Sequence, residues 1–174
     1  MSSDTSGMSG NAQAYTQAIY RIDGPPPVLL RIGQVSAALA QLHQHHGCAS
    51  SVFITACNPR SRRLRPAANQ RRLRALRRAL DVLGRAYLPA CGLDPQHLWP
   101  DEPSLWVPGL PLRQGLQLAR RFGQNAIVWC RDPQPARLVW TYPPKARTRA
   151  EGRGTTSATP WGNPQCTRPS GRLY

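Results

Sequence analysis

Residues 51–83 read SVFITACNPRSRRLRPAANQRRLRALRRALDVL, a strand, a turn and a helix in immediate succession. Ser51–Cys57 is an apolar, β-branched run closed by Asn58-Pro59. Such a run suits a strand buried on both faces. After a loop over 58–68, Asn69–Leu83 carries Leu73, Leu76, Leu80 and Leu83 at helical spacing, and Gly84 supplies a C-cap.

Further along the chain, Arg85–Ala90 reads as a short strand and Cys91–Pro103 as a loop. Ser104–Val107 is a strand stopped by Pro108-Gly109. Pro111 suits a first helical turn, continued by Leu112, Leu116, Ala119 and Phe122 and closed by Gly123. Ala126–Cys130 and Arg137–Thr141 are strands either side of the Asp132-Pro133 turn. From residue 51 the expected order is therefore β-α-β-β-α-β. It predicts an α+β, two-layer sandwich with a ferredoxin-like core, two helices covering one face of a mostly antiparallel sheet. Before it, Tyr15–Ile22 and Val28–Ile32 form a predicted hairpin around Asp23-Gly24 and three prolines. Gln34–His46 is a predicted helix with Val35, Leu39 and Leu42 in period, ending at Gly47.

One domain is expected over 15–142. Residues 1–14 offer no large apolar side chain except two Met, and 143–174 are rich in Gly, Pro, Thr and Arg. Both ends read as disordered, the second as a basic tail. No run approaches a membrane span and no secretory pattern opens the chain, so a cytoplasmic protein without a membrane partner is expected. The five cysteines are odd in number and lack C-x-x-C spacing, which favours free thiols.

The net charge is +15, and only one of the 23 basic residues is Lys. Ten Arg and one Asp fall within 60–85. On the predicted helix, Arg71, Arg74 and Arg78 lie opposite the leucines, with Arg60 and Arg62 in the loop before it. Planar guanidinium groups bind phosphate, so this face is a candidate for nucleic acid or another polyanion. A solvated face in an Arg-biased chain has the same appearance. His43 and His46, near Cys48, have ligand types but no matching pair elsewhere, so a surface helix end is expected and no metal or cofactor. Cys57 reads as a buried thiol.

The remaining feature is a set of uncharged polar residues at strand ends. Thr55, Asn58 and Ser61 close the first core strand, and Asn69 opens the basic helix. Glu102 and Ser104 start another strand, while Gln124 and Asn125 join a helix to the next. Each has an ordinary use as a cap or turn. If they converge, they form a ligand pocket in which Glu102 is the only candidate acid or base. No phosphate-loop, nucleophile-elbow, zinc-protease or dinucleotide motif is present. A protein-interaction module is the third expectation, with Trp99 and Trp106 as possible contact residues. Oligomeric state is open.

FITACNPRS (53–61), Asn69 with RRLRALRRAL behind it, PDEPSLWVPGL (100–110) and RFGQNAIVW (121–129) together resemble the bacterial domain-of-unknown-function 3293 family. The resemblance spans about residues 15–141. It places the family's characteristic positions on Thr55, Asn58, Pro59, Ser61, Asn69, Glu102, Ser104, Phe122, Gly123, Gln124 and Asn125. It implies no catalytic residues, because the family has no established activity. It does imply that the polar set serves more than local turns. Pro108 departs from the aliphatic residue usual there, and the Arg-rich tail after 143 belongs to this chain alone.

Overall fold

The computed structural model describes residues 6–142. The predicted basic tail lies outside them. Four helices accompany seven strands: α1 (Ser6–Gln17), β1 (Ile19–Ile22), β2 (Val28–Leu30), α2 (Ala37–His45), β3 (Ser50–Ile54), α3 (Pro66–Val82), β4 (Leu88–Leu93), β5 (Glu102–Pro108), α4 (Leu112–Arg121), β6 (Ala126–Arg131) and β7 (Arg137–Trp140). They build one sheet in the order β2-β1-β4-β5-β3-β6-β7, with every neighbouring pair antiparallel. Helix α3 joins β3 to β4, which β5 separates. Helix α4 joins β5 to β6, which β3 separates. The α+β class follows.

Strand β3 lies centrally, paired to β5 and β6, and is buried on both faces. Val52 and Ile54 face α3 and α4, meeting Leu73, Leu76, Leu80, Leu118 and Phe122. Phe53 faces the other way, toward Tyr20, Trp106 and Val128. Two buried faces explain the unbroken apolar run, since neither set of alternate positions meets water. Gly115 of α4 rides close over this strand: a Cβ there would lie 3.0 Å from a methyl of Val52.

The two-layer expectation accounts for one face only. The second face is also covered, by Leu39 and Leu42 of α2 and by Ala18 just after α1. Two further expectations change. Residues 6–17, within or next to the segment read as disordered, form α1, and strand β1 starts only at Ile19. Cys91-Gly92-Leu93, read as loop, continues β4. These residues have no strand signature of their own, but β1 and Glu102-Pro103 of β5 bond them from both sides. No helix among the described residues is long and apolar enough to cross a membrane.

Candidate functional site

The chain leaving β3 turns sharply. Asn58, Arg60 and Ser61 all take positive φ, at 44°, 53° and 57°. Non-glycine residues in this region cost on the order of 1–3 kcal/mol each unless their surroundings impose it. Here the surroundings are polar side chains. Asn69, in the first turn of α3, accepts from the Asn58 backbone N–H through Oδ1 at 3.0 Å and donates from Nδ2 to Asn58 Oδ1 at 2.9 Å. Leu64 N–H also donates to Asn58 Oδ1, at 3.0 Å. Gln124 Nε2 donates to the Cys57 carbonyl at 2.8 Å, and Arg60 N–H donates to the Gly123 carbonyl at 2.8 Å. Arg72, pointing inward from α3, donates from Nε to the Ala56 carbonyl at 2.6 Å and from Nη2 to the Phe122 carbonyl.

This braced loop presents Asn58 Nδ2 to Glu102 Oε1 at 2.9 Å. Thr55 donates to the Pro103 carbonyl at 2.8 Å and accepts from Cys57 N–H at 3.0 Å, tying the end of β3 to the start of β5. Ser104 donates to the Glu102 carbonyl at 2.9 Å. Burial raises the Glu102 carboxyl above the ordinary carboxylate range, opposed by its bond from Asn58. Burial also pushes the Cys57 thiol up, with Thr55 and Arg72 opposing, so Cys57 stays protonated.

Glu102, Asn58, Thr55, Ser61, Ser104 and Gln124 all line one cleft of about 150 Å³ on the sheet face away from α3 and α4. Its apolar walls are Phe53, Tyr20, Val128 and Leu138 from the strands, Ala14 and Tyr15 from α1, and Trp99 from the β4–β5 loop. Asn69 and Asn125 stand behind it rather than in it. Asn69 braces Asn58, and Asn125 donates from Nδ2 to Ser61 Oγ at 3.0 Å. Ser61 Oγ also lies 3.2 Å from the Tyr15 hydroxyl, which fastens α1 over the cleft.

The guanidinium set does not converge on this place. Arg71, Arg74 and Arg78 are exposed on the outer side of α3, across the sheet from the cleft. Arg60 and Arg62 are exposed in the loop and absent from the cleft lining. The reason is geometric: the leucines of α3 must face the sheet, so the opposite side of the helix points to solvent. Trp106 is fully buried; Trp99 is partly exposed, with the Arg63 guanidinium 5.3 Å over its ring.

Two features escaped the sequence. Arg72 looked like one more arginine of a basic helix, yet it sits beside Leu73 at the edge of the buried stripe, which was the available signal. His43 is not a surface residue but has 0% exposure. Its Nδ1 is 2.7 Å from Asp132 Oδ2 and its Nε2 is 2.8 Å from Ser51 Oγ, which also accepts from Trp106 Nε1 at 2.8 Å. A Ser-His-Asp chain of this kind can activate a nucleophile. Ser51 is fully buried, so here it links α2, β3 and the β6–β7 turn. Nothing in the spacing of these three residues foretold it. Among the described residues, no three His, Cys, Asp or Glu side chains gather as a metal-binding group.

Residues 54–127 match the model of a family described as Protein of unknown function (DUF3293). No curated protein and no solved structure matches the chain. The matched span holds α3, β4, β5, α4 and the cleft residues Thr55, Asn58, Ser61, Asp94, Glu102, Ser104 and Gln124.

Proposed function

We propose that the chain is a member of the DUF3293 family of unknown function, whose model matches residues 54–127, and that its cleft is a small-molecule site with Glu102 at its floor. The observation that carries this reading is the Glu102–Asn58–Asn69 chain of hydrogen bonds, with links of 2.9 Å each, ending in an open cleft. A half-buried carboxyl with one protein partner is costly to keep, and sites of that kind cluster where a ligand is handled. The volume suits one six-membered ring: a cavity of roughly this size holds benzene. Glu102 is then the group that contacts the ligand and holds or releases a proton. The interleaved strands β4-β5-β3-β6 are read as a ferredoxin-like core, with the cleft on the side away from α3 and α4.

The test is a titration of the protein with benzyl alcohol, benzoate and benzylammonium, three molecules of one shape. Backbone and side-chain amide resonances are followed by NMR. At least one probe is expected to shift Asn58, Thr55 and Ser104 together. If none does at millimolar concentration, the site reading is lost.

A second reading has its own observation. Arg71, Arg74 and Arg78 form an exposed row on α3, and none has a carboxylate within ion-pair distance among the described residues. Such a row fits a polyanion backbone. It is independent of the cleft.

A further inference from the structure

We propose that the cleft takes an organic cation, an amine or amidine carried on a small apolar body. This rests on the reading of the cleft as a ligand site and names the chemical class that fits it. The chain as a whole is strongly basic, at +15, and the described residues hold 17 Arg against six carboxylates. Two of those six, Asp94 and Glu102, line the cleft, and no Arg, Lys or His does. The local sign of charge is therefore opposite to that of the molecule. An anion entering here would meet no cation among the lining side chains; Arg63, at the cleft edge, is engaged with the Trp99 ring.

Most of the hydrogen-bonding capacity left over has one sense, the exceptions being one hydroxyl proton of the Tyr15–Ser61 pair and the second proton of Asn58 Nδ2. Glu102 Oε1 receives Asn58 Nδ2 at 2.9 Å, and Oε2 has no partner among the described residues. Gln124, only 6% exposed, spends its Nε2 on the Cys57 and Phe122 carbonyls, leaving Oε1 unpartnered among the described residues. Thr55 and Ser104 have given their protons to backbone carbonyls, so each retains only acceptor capacity. A ligand rich in donors matches this set; a carboxylate or phosphate does not.

The walls complete the match. Tyr15, Tyr20, Phe53 and Trp99 surround the acceptors. Aromatic faces attract cations, most strongly where water is excluded. Trp99 already carries a cation on its ring, the Arg63 guanidinium at 5.3 Å. Placing Glu102 beside aromatic rings gives an ammonium group both a counter-charge and a desolvated bed.

The three isosteric probes decide the matter. Benzylammonium is expected to bind at least tenfold more tightly than benzyl alcohol, with benzoate weakest. The Glu102→Gln variant, which keeps an acceptor for Asn58, is expected to lose most of that preference. Its amide spectrum and that of the Ser104→Ala variant report whether the fold persists. If benzyl alcohol or benzoate binds as well as benzylammonium, the cleft remains a ligand site and the cation assignment is overturned. Benzylammonium binding unchanged in Glu102→Gln overturns it as well. If no probe shifts the cleft resonances, both readings fall.

Discussion

At the scale of single residues, Glu102 and Ser51 show two different reasons for burying a polar group. Glu102 is held against solvation with one donor, Asn58, and its carboxyl is raised by burial. The folded chain therefore keeps its proton to higher pH than the unfolded chain does. The native state is favoured below the unfolded pKa and loses that contribution as pH rises through the folded value. Glu102→Gln cannot ionise. Its melting temperature is expected to match wild type near pH 4 and to exceed it by a few degrees near pH 8, by calorimetry. A gap that does not widen with pH contradicts this account. Ser51 is the reverse case, satisfied on both sides by His43 and Trp106. Ser51→Ala orphans both buried partners, with an expected loss of at least about 2 kcal/mol in urea denaturation.

Elements meet at the loop after β3, where Gly123 shows how closely they fit. It ends α4 at φ 67°, and a Cβ there would lie 3.1 Å from the Pro59 Cβ. Gly123→Ala imposes the left-handed cost of about 1–2 kcal/mol and presses on the turn that carries Asn58. Lower stability and a perturbed Asn58 side-chain amide are both expected, read from one set of NMR and denaturation samples. Helix α1 belongs to this scale too. Tyr15 packs edge-on against Trp140, with ring centres 5.7 Å apart, and its hydroxyl meets Ser61. The segment thereby closes one side of the cleft.

For the whole molecule, the sheet separates two surfaces of opposite character. One bears α3 and its arginine row; the other holds an acidic, aromatic cleft. If the arginine row binds polyanions, the salt dependence of that binding reports it. Replacing Arg71, Arg74 and Arg78 together by Ala is expected to reduce the slope of log affinity against log salt by about 2–3 units, measured by anisotropy with a single-stranded oligonucleotide. The same variant is expected to bind benzylammonium like wild type, because the cleft lies across the sheet. Wild-type protein that ignores the oligonucleotide at low salt removes the polyanion reading and leaves the cleft untouched.

The sequence by itself determined the order of strands and helices from residue 51 onward, though not the Cys91–Leu93 end of β4, because apolar spacing and Gly or Pro stops are local signals. It also marked Thr55, Asn58, Ser61, Glu102, Ser104 and Gln124, because polar residues at strand ends are visible as such. It could not rank them. Only the tertiary structure decided that Asn69 and Asn125 are braces, that Arg72 serves the loop rather than the surface, and that His43 meets Ser51 and Asp132. Those outcomes depend on pairing between residues distant in the chain, where strand register and helix rotation choose the neighbours. No local spacing encodes that choice.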